Sequence, residues 1–267
     1  MSIDRELPGR REGRDDDPDR GGDVVDAARP SDRRPFPTFL VPFDENAPIS
    51  GHIPAPASST PIAEAPEHDW AAASRLVYPA LRPVGTKGLR VDQVRRDRLA
   101  DEAARSHAQP LLDDGPAGLP IVYAITAGGF DVIANGDHLL SWGVDASVVR
   151  AAAMRNLAAW SAAAPWTDEV SGDRRLVSSD SGDGWDAARI LLSDVRAHLA
   201  NELGPTGRVL VGLPERHLLI AGTLRSGDLE FAALFGQFIE ENSSGADEPI
   251  DGRIFELVRG VLVAFVA

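Results

Sequence analysis

Residues 119–142 read LPIVYAITAGGFDVIANGDHLLSW. Leu119 to Thr126 is an apolar, β-branched run, Ala127-Gly128-Gly129 supplies a tight turn, and Phe130 to Ala134 is apolar again. Two such runs across a glycine turn spell a β-hairpin. Asn135-Gly136-Asp137 follows as a turn able to cap a short helix, which runs to Trp142 and stops at Gly143. Hairpin connections, unlike long crossovers, make neighbouring strands antiparallel. The stretch therefore places the chain in the α+β class.

The flanking residues extend that pattern. Upstream, Leu76-Val77-Tyr78 and Ala80-Leu81 surround Pro79, and a proline inside a strand confines it to a sheet edge. The charged segment 88–106 offers Val91, Val94, Leu99 and Ala103 as a short helix face. Downstream, Val149, Ala153, Leu157, Trp160 and Ala164 recur at helical spacing behind a cap at Asp145 or Ser147, and Pro165 ends the helix. Leu176-Val177 mark a strand. A second helix is predicted from about Trp185 to Leu203, with Ala188, Leu192, Val195, Leu199 and Leu203 on one face and Gly204-Pro205 as its stop. Arg208–Leu213 and His217–Thr223 are strands joined at Pro214-Glu215-Arg216. Ser226 is placed to cap a third helix that buries Phe231, Leu234, Phe235 and Phe238. Ile254–Val258 and Val261–Val266 form a last hairpin over Arg259-Gly260. The expected architecture is one α+β domain over residues 75–267, a mainly antiparallel sheet with about three helices packed on one face.

The N-terminal residues read differently. Residues 1–34 hold eight Arg and ten Asp or Glu with few apolar residues, so ordering them gains too little burial to offset the entropy cost. This segment is expected to be a disordered charged arm. Residues 35–74 are a Pro-rich linker, with eight prolines between Pro35 and Pro66. Phe36, Phe39 and Phe43, with Leu40 and Val41, interrupt it. That aromatic cluster either docks on the domain or serves as a short partner-binding motif.

The 267 residues carry a net charge of −14, which repels nucleic acid and anionic lipid. Arg90, Arg95, Arg96 and Arg98 are interleaved with Asp92, Asp97, Asp101 and Glu102, the pattern of a solvated face rather than a phosphate-binding patch. With no cysteine in the chain, disulfides and thiolate chemistry are excluded. The longest apolar run, Val261–Ala267, is far shorter than the roughly 20 residues a membrane span needs. No signal sequence is read, so a cytoplasmic protein is expected, without nucleic-acid or membrane partners.

Six segments carry a family resemblance: LVYPALRP (76–83), PIVYAITAGGFDVIANGDHLLSWGV (120–144), NLAAW (156–160), GDGWDAARILL (182–192), VLVGLPERHLLIAG (209–222) and IFELVRGVLVAF (254–265). In that order they resemble the uncharacterised YtpQ-like bacterial family, over roughly residues 76–267. The resemblance implies a cytoplasmic domain of unknown function with no established substrate or cofactor. Members of that family carry a folded N-terminal region where this chain has its Pro-rich arm.

The stretch most suggestive of chemistry is Asp180-Ser181-Gly182-Asp183-Gly184-Trp185-Asp186. Asp180, Asp183 and Asp186 are candidate ligands for a hard cation, which wants several oxygens. The spacing lacks the Asp-x-Asp-x-Asp-Gly pattern of a calcium loop. The plainer role is structural: glycines permit a tight turn, Asp183 or Asp186 caps the next helix, and Trp185 packs on the sheet. Asp183, Asp186 and His217 are candidates for carboxylate acid–base catalysis if the fold brings them within reach. Phosphate-loop, dinucleotide and nucleophile-elbow motifs are absent, and no cofactor is expected. The preferred functional expectation is a non-enzymatic protein-interaction domain with an unknown protein partner. The alternative is a metal-assisted or carboxylate-based hydrolase built on the Asp-rich loop.

Overall fold

The computed structural model describes residues 65–266 apart from 102–106, 128–129 and 183. The charged arm, the motif Phe36, Phe39 and Phe43, and Asp183 lie outside the described residues. Two sheets form the framework. The first joins β1 (Val77–Leu81), β2 (Leu89–Arg90), β3 (Leu111–Asp114), β4 (Pro120–Ala127) and β5 (Phe130–Ile133) in the order β1-β4-β3-β2, with β5 also on β4. The second joins β6 (Thr167–Ser171), β7 (Arg174–Ser179), β8 (Arg208–Gly212), β9 (Leu219–Leu224), β10 (Ile254–Val258) and β11 (Val261–Ala264) in the order β11-β10-β8-β9-β7-β6. Only the β2–β3 pairing is parallel among the described residues. The Pro79 strand is an edge, as its proline requires: β1 ends the first sheet.

Strand β4 explains why the sheets lie as they do. Alternate residues of a strand face opposite ways. Tyr123 and Ile125 enter one core with Val77, Leu139, Val149 and Ala153, whereas Val122 and Ala124 enter a second core with Val195, Leu199, Val209, Val211, Leu219 and Ala221. Helices α1 (Trp70–Leu76), α3 (Gly136–Trp142) and α4 (Ala146–Ala163) supply the first core. The second core fills the space between the two sheets, and helix α5 (Ser193–Leu203) lies in it through Val195, Leu199 and Leu203. On the far face of the second sheet, helix α6 (Leu229–Ser244) buries Phe231, Phe235 and Ile239. A Cβ on Gly212 would strike Ile239, and one on Gly222 would meet Phe231 at 2.8 Å, so these bare backbones let α6 approach closely.

Several expectations are corrected. There are six α-helices among the described residues, not about three, including the four-residue α2 (Arg96–Leu99). The short α1 and α2 bury one residue each, Ala73 and Leu99, and leave no periodic trace. They pack on both sheets rather than on one face. The single sheet becomes two, because a strand buried on both faces reads like any apolar run. The helix expected from Trp185 to Leu203 splits into a 3-10 turn, Ala187–Leu191, and α5, with Leu192 extended between them. Strands β2, β3 and β6 were not foreseen. Helix α6 is capped by Asp228, which accepts from the Phe231 amide, rather than by Ser226, and Ile239 replaces Leu234 and Phe238 among its buried residues. The expected start at Asn135 holds: its side chain accepts from His138 N, and Gly143 ends α3 at φ 66°.

Candidate functional site

Residues 184–190, Gly-Trp-Asp-Ala-Ala-Arg-Ile, are all buried although they form no regular helix or strand beyond the 3-10 turn. Buried irregular backbone needs polar partners. Arg189, 2% exposed, provides them. Its guanidinium donates to the carbonyls of Ser161 (3.1 Å), Ala164 (3.4 Å) and Pro165 (3.2 Å), where the last turn of α4 leaves acceptors unfilled. It also donates to Ser161 Oγ and Ser179 Oγ and lies 3.8 Å from the Trp166 ring centre. Burial lowers its pKa to about 10.

Asp186 is fully buried. Its Oδ1 accepts from Ser179 Oγ (2.5 Å) and Ser181 N (3.1 Å), and Oδ2 accepts from Ser181 Oγ (2.8 Å). Ser179 thus bridges the carboxylate to Arg189. Burial pushes the Asp186 carboxyl up, against the pull of these hydrogen bonds. Asp186 does not cap the 3-10 turn that it begins, correcting the helix-cap expectation.

A second network closes one end of the seam between the sheets. Arg216, on the β8–β9 loop, donates to the Gly184 carbonyl at 2.9 Å, pairs with Asp131 of β5, and pairs with Glu248 at 3.1 Å. Arg82, just past β1, pairs with the same Glu248 at 3.0 Å. Arg216 also lies over Trp185, which stacks on Tyr78 at 4.6 Å between ring centres. Trp185 therefore packs on the first sheet.

The predicted catalytic residues are not joined. His217 sits beside Arg216, and its Nδ1 is buried with no hydrogen-bond partner among the described residues. No hydrogen bond or ion pair links it to Asp186, whose oxygens face Ser179 and Ser181. Asp180 is exposed. Among the described residues, no group of three His, Asp or Glu is placed to share a metal ion. The open depression lined by Arg96, Asp97, Ala100, Leu140 and Asp145 shares no residue with either network. No helix among the described residues is long and apolar enough to cross a membrane.

The sheet edges differ sharply. An edge strand presents unpaired amides and carbonyls, and proteins protect such edges with prolines, charges or brevity. β1 carries Pro79, β2 is two residues long, β5, which pairs with β4 alone, carries Asp131 bound to Arg216, and β6 carries Asp168 and Glu169, with Asp168 held by Arg175 at 2.6 Å. β11 reads Val-Leu-Val-Ala, with neither proline nor charge, and its main neighbour besides β10 is the turn Pro116–Gly118. Its hairpin turn, Arg259-Gly260, has φ of 51° and 78°, the two-residue reversal that keeps strands tightly paired. The register Val258↔Val261, Leu257↔Leu262, Glu256↔Val263 points the backbone groups of Leu262 and Ala264 away from β10. No described backbone group from another segment bonds them. Val261 (60% exposed), Val263 (37%) and Val258 (42%) line the outer face beside α6. The sequence signal was present in an uncharged run, but alternation alone does not say which strand ends a sheet. No protein-family model matches the chain, and no curated protein or solved structure is similar to it.

Proposed function

We propose that this is a cytoplasmic, non-enzymatic protein-interaction domain that takes up a strand from another polypeptide along β11, with Phe36, Phe39 and Phe43 as a tethered second contact. The observation that carries this reading is the β11 edge, free of proline and charge and flanked by exposed Val258, Val261 and Val263, beside four edges marked by proline, charge or brevity. Strand addition draws affinity from main-chain hydrogen bonds and specificity from alternate side chains. The hydrolase reading has less support, since both Asp186 oxygens are engaged by serine donors and His217 has no carboxylate partner.

Affinity capture from a lysate of the source cells tests it, with three baits: the full chain, the chain lacking residues 1–64, and Val263→Glu. Proteins held by the full chain should be lost with Val263→Glu and weakened without the arm. Recovery of nothing above control by the full chain, or identical recovery by Val263→Glu, rejects the reading.

A further inference from the structure

We propose that the strand taken up at β11 is the β11 of a second copy, which joins two six-stranded sheets into one of twelve. This inference rests on the reading of β11 as the interaction edge. Leu262 and Ala264 point their amides and carbonyls outward. Antiparallel pairing about a two-fold axis at Val263 sets Leu262 of each copy opposite Ala264 of the other, and each such pair exchanges two hydrogen bonds. The same register places Val263 against Val263 and Val261 against Phe265 on the outer face, so every side-chain pair is apolar. A shift of one residue would turn Val263 against an inner-face residue, so the pleat excludes it, and among the registers that keep the faces matched this one centres the pairing on Val263.

Charge favours a second copy over a basic partner. The chain carries −14, yet the surroundings of β11 are not acidic. Arg196 donates to the Gly260 carbonyl, Arg208 pairs with Glu256 and lies over Phe265, Arg253 pairs with Asp251, and Arg259 forms the turn. Two of these arginines are neutralised by Glu256 and Asp251, and the strand itself has no charge. A basic protein would be drawn elsewhere on this molecule. Two copies, repelled over most of their surfaces, meet least resistance at this patch. The turn Pro116–Gly118 packs near β11 but bonds neither outward residue.

Sedimentation equilibrium of the full chain should show a monomer–dimer equilibrium that tightens between about 0.01 M and 0.1 M salt, as the Debye length falls from about 30 Å to about 10 Å. Val263→Glu sets two carboxylates opposite each other and should weaken association by about tenfold or more, with circular dichroism unchanged. The chain has no cysteine, so Val263→Cys reports the register directly. Across a non-hydrogen-bonded pair the Cα atoms lie about 4.5 Å apart, within disulfide range. Mild oxidation should give a covalent dimer with Val263→Cys and none with Val258→Cys. A monomer at both salt levels up to about 1 mM overturns the proposal, as does cross-linking that is equal for the two cysteine variants. If the chain is monomeric while its captured proteins are still lost with Val263→Glu, the second copy is rejected and the interaction reading stands.

Discussion

Arg189 does for helix α4 what the helix cannot do for itself. α4 ends at Ala163 without a basic residue in its last turn, and the carbonyls there would be buried without donors. Arg189 fills them from a distant part of the chain, and Asp186, through Ser179, keeps that charge from standing alone. Asp186→Ala would leave a buried cation and two serine donors without their acceptor. It should cost about 3 kcal/mol in urea unfolding, the scale of breaking a buried charged network. Asp186→Asn should cost less, since an amide oxygen still accepts from Ser179 and Ser181. Because burial raises the folded-state pKa of Asp186 above its usual value, its proton stabilises the fold. That contribution is full below the unfolded value and is lost as pH rises through the folded one. The stability of the native chain relative to Asp186→Asn should therefore fall as pH rises across that window, by urea unfolding at each pH.

At the scale of elements, the contact of α6 with the second sheet is set by residues that are missing side chains. A Cβ at Gly222 would lie 2.7 Å from Leu176 and 2.8 Å from Phe231, both packed. Gly222→Ala should lower stability by about 2 kcal/mol, an overpacking cost. Gly252→Ala, whose Cβ would meet only ordinary contacts at 3.7 Å, should be neutral or slightly stabilising by thermal unfolding. Glycines of this kind show what was and was not legible. Pro79, Asn135, Gly143 and the Arg259-Gly260 turn act through local backbone chemistry, and each could be placed from the chain alone. Gly222 acts only through a helix it meets in space. Likewise the acids of the Asp-rich loop could be recognised as unusual, but their partners could not. Ser179 lies seven residues before Asp186, and Arg189 reaches back to α4, so neither contact follows from periodicity. β6, exposed at every residue but Ser171 and rich in polar residues, left no apolar alternation to read.

For the whole molecule, the two sheets are tied at one end by Arg82, Glu248, Arg216 and Asp131. Burial alone would raise the Glu248 carboxyl, but Arg216 and Arg82 outweigh it and hold it below its ordinary value of 4.5. The sign is that of a depressed acid. Its contribution is present above the unfolded value and fades as pH falls through the lower folded one. Glu248→Gln should flatten the loss of stability below about pH 4.5, read from thermal midpoints across that range. Its side chain is 38% exposed, so solvent screening keeps the effect modest. The core between the two sheets carries a further consequence, for the order of synthesis. The first sheet is complete once Ile133 has been made, but the second awaits Ile254–Ala264. A growing chain therefore holds Val122 and Ala124 without their facing strands until the second sheet is made, the interval in which a nascent protein of this build depends on being shielded from its neighbours.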